Sequence, residues 1–185
     1  GYNLGTTGNW EFDVLLSMAH GVLNYRGAQS SFKKDASPYW GIRAIGTIAG
    51  FDTMLVYGTN SNKMDYSNGL YGAAWLGKSW NIQNWHLYSS VGAQYRNDAM
   101  LDFYYGVPDN HAGLPAYDAK GGVNLIYKVG FKKPLDENWL VEGNFSMTRY
   151  ADSIIDSPYS QSILQRNENR SDRGRTFSLS TSYVF

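Results

Sequence analysis

Apolar and polar side chains alternate with period two through most of this chain, and that pattern constrains the fold more than any motif. Near the end, Phe177, Leu179, Thr181, Tyr183 and Phe185 alternate with Ser178, Ser180, Ser182 and Val184. Trp139, Val141, Gly143, Phe145 and Met147 alternate with Leu140, Glu142, Asn144, Ser146 and Thr148. Val123, Leu125, Tyr127, Val129 and Phe131 form a third series, opposed by Asn124, Ile126, Lys128 and Gly130. Trp85, Leu87, Val91, Ala93 and Tyr95 form a fourth, opposed by His86, Tyr88, Ser90, Gly92 and Gln94. Trp10, Phe12, Val14 and Leu16 form a fifth, facing away from Glu11, Asp13 and Leu15. Successive strand residues point to opposite faces, so each segment has one apolar and one mostly polar side. Less regular candidates at roughly 38–48, 51–59 and 69–79 bring the count to about eight strands. At some 9 to 12 residues, they have the length a tilted strand needs to cross the hydrocarbon layer.

The connections sharpen this reading. Read backward from the C-terminus they alternate long and short: 151–173 is long, 132–138 short, 96–120 long and 80–83 short. The segment 60–68 is intermediate, 49–50 tight and 20–37 long. Outer-membrane barrels have short periplasmic turns and longer external loops, whereas a soluble sandwich has no reason to keep such an asymmetry. With the C-terminus on the periplasmic side, every long loop lies outside.

Composition fits the same fold. No run of about 20 apolar residues is present, so a transmembrane helix is excluded, and mean hydropathy is −0.42. Yet aromatic residues reach 16%, with 15 Tyr and 6 Trp, the residues that concentrate at membrane–water interfaces. A polar average with many aromatics fits strands that show only one face to lipid. The 16 cationic and 16 anionic residues cancel, which argues against a nucleic-acid partner. There is no cysteine, so disulfides and thiolate metal sites are excluded. The chain opens Gly1-Tyr2-Asn3-Leu4 without a Met or an export signal. It is therefore expected to be a single domain, residues 1–185, that lacks its signal peptide and N-terminal strands.

The final strand also reads as an assembly signal. Phe177, Leu179, Tyr183 and the terminal Phe185 place large side chains on one face, like the last strand that bacterial barrel-assembly machinery engages by edge pairing. Candidate chemistry is sparse. Of the histidines, His20 falls at a strand end, His86 on a polar face and His111 in a long loop. Their spacing matches no metal site, and no cofactor is expected. Ser90 shares the face of His86 and is the one conceivable nucleophile pairing, but serine is common on that face throughout. Glu11, Asp13, Arg43, Lys128 and Glu142 fall on polar faces, where they would form a satisfied polar interior or line a pore. Arg26, Lys33, Lys34, Arg166, Glu168, Arg170, Asp172, Arg173 and Arg175 fall in or beside long loops. Solvated charge is the simpler account of them, and contact with outer-leaflet lipopolysaccharide phosphates the functional one.

Residues 104–119 read Tyr-Tyr-Gly-Val-Pro-Asp-Asn-His-Ala-Gly-Leu-Pro-Ala-Tyr-Asp-Ala. This segment resembles the hallmark of the MltA-interacting protein (MipA/OmpV) family, in which a Tyr104-Tyr105-Gly106-Val107 element precedes Gly113-Leu114-Pro115-Ala116-Tyr117-Asp118. Pro134-Leu135, Glu137-Asn138-Trp139, Asp152-Ser153, Asp156-Ser157-Pro158 and the ending Ser182-Tyr183-Val184-Phe185 extend the similarity. The resemblance implies an antiparallel, all-β transmembrane barrel of ten or twelve strands in the outer membrane of a Gram-negative bacterium. It implies a non-enzymatic scaffold that brings a lytic transglycosylase together with a murein synthase. The periplasmic turns Lys132–Asn138 and Trp80–Asn84 are then the expected contact surface. A small porin for polar solutes is the alternative.

Overall fold

A computed structural model describes residues 1–19, 37–60, 68–109, 113–164 and 172–183. It is an all-β, antiparallel meander of nine strands in sequence order. These are β1 (Tyr2–Thr7), β2 (Trp10–Ala19), β3 (Ser37–Ile48), β4 (Phe51–Asn60), β5 (Leu70–Ile82), β6 (Trp85–Arg96), β7 (Gly122–Pro134), β8 (Trp139–Arg149) and β9 (Arg173–Tyr183). Every neighbour in the sheet is also the neighbour in sequence, as in an up-and-down barrel wall. Among the described residues no ladder joins β1 to β9, and no helix is long and apolar enough to cross a membrane.

The strand β1 goes beyond the roughly eight strands expected. Its register shifts between Asn3 and Gly5, so a bulge interrupts the alternation that would have marked it. The bulge falls where Gly5 has φ 128°, a conformation glycine adopts at little cost.

The two faces are distributed as in a protein turned inside out. One continuous surface carries Phe12, Leu16, Trp40, Ile42, Leu55, Tyr57, Leu76, Val91, Tyr95, Leu125, Tyr127, Phe177 and Leu179, all exposed. The register keeps them on one side, through pairs such as Val14↔Ile42↔Tyr57 and Leu76↔Val91↔Tyr127. Leu16 is 77% exposed and Phe177 70%, while Asp13 on the opposite face is only 5% exposed. Water would penalise such an apolar surface heavily, whereas acyl chains would not.

The inner face is polar and tied together across strands. Arg43 donates from Nε and Nη2 to Asp13 Oδ2 at 2.9 and 2.5 Å, and Asn3 Nδ2 donates to Glu11 Oε1 at 2.6 Å. Lys132 pairs with Glu142 at 3.4 Å, and Asn144 Nδ2 donates to Ser178 Oγ at 2.5 Å. Lys128 Nζ lies 4.8 Å from the centroid of Trp75, a cation–π contact. Trp75 itself folds over Gly92, where any Cβ would collide with the indole, and Tyr88 covers Gly130 in the same way. Aromatic cover of strand glycines of this kind fixes register.

Turn lengths sort the two ends of the sheet. Gly8–Asn9, Ala49–Gly50, Gln83–Asn84 and Leu135–Asn138 close one end, with Ala49 and Gly50 at φ 51° and 78° as a tight hairpin requires. Asp136 Oδ1 accepts from the backbone N–H groups of Asn138 and Trp139, both at 2.8 Å. All long connections leave from the other end. Near the short turns the outer face is rich in indoles: Trp85 stacks edge-on to Phe131 at 5.3 Å, and Trp139 to Tyr183 at 5.0 Å. The eleven residues of β8 run from Trp139 in this aromatic band to Arg149. At about 3.3 Å per residue and typical tilt, that span matches the roughly 25 Å apolar band of a barrel.

Candidate functional site

A helix runs into the start of the hallmark segment. Residues 98–105 form helix α1 (Asp98–Tyr105), and 150–164 form α2 (Asp152–Ile155) and α3 (Pro158–Leu164). The stretches 96–120 and 151–173, expected as long loops, thus carry short helices, and the start of the first is legible in the sequence. Asn97 immediately precedes Asp98 and caps α1, accepting from the Met100 N–H at 3.1 Å. The same Oδ1 accepts from Leu70 N–H at 2.9 Å, and Asn97 Nδ2 donates to Asn68 O at 2.7 Å. One side chain therefore joins the helix to the start of β5.

The motif residues then build a cap. Tyr104 and Tyr105 end α1, and Gly106 closes it by donating to Asp102 O at 2.7 Å. A Cβ at Gly106 would collide with Asp102. Val107, 3% exposed, forms an isolated antiparallel bridge with Tyr117. Between them Gly113 turns the chain at φ 74°, and Leu114, Pro115, Ala116 and Asp118 lie at or near the surface. Two carboxylates absent from the sequence reading secure the return: Asp102 accepts from Ala119 N–H at 3.0 Å, and Asp98 from Gly121 N–H at 2.7 Å.

The two distant motif segments meet here. Tyr117 OH donates to Ser153 O at 2.9 Å, and Ser157 Oγ donates to Tyr105 O at 2.7 Å. Ser157 is fully buried and also accepts from Tyr159 N–H at 3.3 Å. Asn124 of β7 accepts from Ala151 N–H at 2.9 Å, which ties the segment to the inner face. Leu101, Ala119, Ala151 and Ile154 form a small apolar core flanked by Tyr105, Tyr117 and Tyr150. On the other side of α1, Met100 and Phe103 pack on Tyr39, Tyr71 and Tyr104. Tyr39 and Tyr71 belong to the polar face of β3 and β5, so α1 packs on that face at the long-loop end of the sheet.

Burial raises the pKa of Tyr105, with Tyr150 and Tyr104 adding to the shift against the opposing effect of Arg96. Burial also raises Tyr117, assisted by the nearby Asp156 carboxylate. A folded-state phenol pKa above the unfolded value leaves the cap's contribution intact below about pH 10 and removes it as pH climbs through the folded values. Limited proteolysis across pH 8 to pH 12 should therefore show the 98–121 segment becoming cleavable only above about pH 10. Cleavage that is already complete at pH 8 would contradict this.

Other candidates do not converge. His86 Nδ1 lies 2.8 Å from Asn81 Oδ1 and its ring is 6.3 Å from Tyr88, contacts that involve neither Ser90 nor an acid. Among the described residues no group of three His, Cys, Asp or Glu could hold a metal. His20, His111, Arg26, Lys33, Lys34, Arg166, Glu168, Arg170 and Phe185 lie outside the described residues. Phe177, Leu179 and Tyr183 line the outer face of the edge strand β9, each exposed.

The family model described as MltA-interacting protein MipA matches residues 1–185, the whole chain. No curated protein and no solved structure matches it.

Proposed function

Because this chain belongs to the MltA-interacting protein MipA family, we propose that it is a non-enzymatic outer-membrane scaffold that holds a lytic transglycosylase and a murein synthase at the periplasmic face. The observation that carries the reading is the inverted sheet, apolar outside and polar within, with all short turns at one end. Such a surface belongs in a bilayer, and the family name supplies the partner class. Fold-level likeness is a weaker warrant than a site, but the geometry supports a scaffold over a pore. Helix α1, seated on Tyr39 and Tyr71, covers the mouth that a porin would leave open.

The backbone edges of β1 and β9 cannot face lipid unpaired. We therefore read the nine strands as one sector of a barrel of ten or twelve strands.

With the long loops outside, Gly8–Asn9, Ala49–Gly50, Gln83–Asn84 and Leu135–Asn138 form the periplasmic surface. A variant with all four turns replaced by neutral hairpin sequences should fold, and it should lose recovery of murein enzymes from solubilised envelopes. Undiminished recovery would sink the scaffold reading. Steady single-channel conductance of the unaltered protein in a planar bilayer would favour the porin instead.

A further inference from the structure

Apart from Lys78 and Lys133, which lie over the Phe51 and Trp85 rings near the short turns, cationic side chains of the outer face gather at its upper corner between β7 and β9. Arg149 and Arg173 are direct cross-strand partners, and Arg175 follows one outward step below, opposite Met147. Like charges placed opposite one another repel, and the repulsion grows beside a hydrocarbon layer. One carboxylate, Asp172, serves two of them: its oxygens lie 3.1 Å from Arg149 Nε and 3.5 Å from Arg173 Nε. The guanidiniums nonetheless remain half exposed or more.

Beside them lies a groove of about 480 Å³, whose lining includes Lys120, Arg149, Val123, Leu125, Asp152 and Ser153. Val123 and Leu125 are 46% and 47% exposed and belong to the lipid-facing rows of β7. Three arginines and one lysine against Asp172, Asp152 and Asp98, which accepts from the N–H of the groove-lining Gly121, leave an excess of one positive charge. The excess sits where the apolar band ends, directly above a pair of open aliphatic side chains.

We propose that this corner binds a phosphate-bearing, multiply acylated lipid of the outer leaflet. Arg149 and Arg175 clasp the phosphate, Lys120 neutralises it from above, and the acyl chains lie over Val123, Leu125 and Tyr127. Guanidinium groups suit phosphate because they present paired N–H donors to its oxygens. A free phosphate would satisfy the charge but leave the apolar floor of the groove uncovered, so the lipid is the better fit. The inference rests on the membrane-spanning reading.

Native mass spectrometry of the full chain released from detergent provides the test. The probes are a diphosphorylated, multi-acylated glycolipid, its dephosphorylated counterpart and inorganic phosphate. The wild type should retain the diphosphorylated lipid, and R149Q/R175Q should retain it about tenfold less, as expected for lost charge-assisted hydrogen bonds. K120Q, in an exposed loop that leaves the strands untouched, should show a smaller loss. K78Q, whose lysine lies 5.0 Å over the Phe51 ring at the opposite end, should match the wild type. Equal retention by wild type, R149Q/R175Q and K120Q would overturn the proposal, and competition by millimolar phosphate would replace the lipid by a free anion. Protease protection in phosphatidylcholine vesicles separates the two readings. A chain that inserts without retaining the lipid refutes only this site, whereas one that never inserts refutes the membrane reading beneath it.

Discussion

Replacing Val91 with arginine should destabilise the lipid-embedded protein by about 2–4 kcal/mol, the cost of a cation at the lipid face of a barrel midplane. Val91 is 52% exposed, midway along β6, between Leu76 and Tyr127 in the register. In water an exposed valine-to-arginine change would cost almost nothing, so the size of the effect reports the solvent that this face meets. Ser180→Lys is the matched control. Ser180 is the cross-strand partner of Glu142 on the inner face, where an added cation meets a carboxylate and lumen water. Denaturant titration in vesicles, followed by tryptophan emission, should show a lowered midpoint for V91R and an unchanged one for S180K. Equal and small effects would mean that the apolar rows pack against protein or face water, and the inverted-sheet argument would fall.

The sheet was legible because one period governs nearly all of it. The strands β2, β6, β7, β8 and β9 alternate clearly enough for their apolar face to be assigned from the chain alone, whereas the less regular β3, β4 and β5 join that face only through the register. The strand β1 was hidden for the converse reason: the bulge between Asn3 and Gly5 spends a residue out of phase, and a six-residue strand has too few positions to recover the pattern.

The cap was legible only as a word, through the resemblance of residues 104–119 and 152–158. Its physics was hidden because it is tertiary. Helix α1 is short, and its stability comes from contacts far along the chain, such as Ser157 to Tyr105 and Asp102 to Ala119. No local pattern marks Asp98 and Asp102 as structural. The hydrogen bonds that make them structural depend on where Gly121 and Ala119 return. Arg173 and Arg175 fall beside a long loop in the sequence for a similar reason, since they form one patch with Arg149 only after β8 and β9 pair.

Leu101→Ala should open that cap while leaving the strands closed. Leu101 is 1% exposed, and its neighbours Ala119 and Ala151 are too small to fill the space it would vacate. Leucine truncation at such a site costs about 2–5 kcal/mol. The strands are held by continuous ladders from β1 to β9, so the loss should be confined to the unit that Leu101 knits together. Hydrogen exchange can read this directly, because the N–H groups of Ala119, Gly121 and Ala151 donate only to side chains that depend on the cap's closure. Their protection should fall by about thirtyfold or more, at tenfold for each 1.4 kcal/mol, while protection along β6 and β7 stays as it was. Loss of protection in cap and strands together would show that the cap is a keystone of the sheet rather than a lid on it. Unchanged protection would show that α1 is held by something other than the Leu101 core. If the lid description is correct, L101A should also pass ions in a planar bilayer where the unaltered chain does not, since Met100 and Phe103 would no longer be held against Tyr39 and Tyr71 at the mouth.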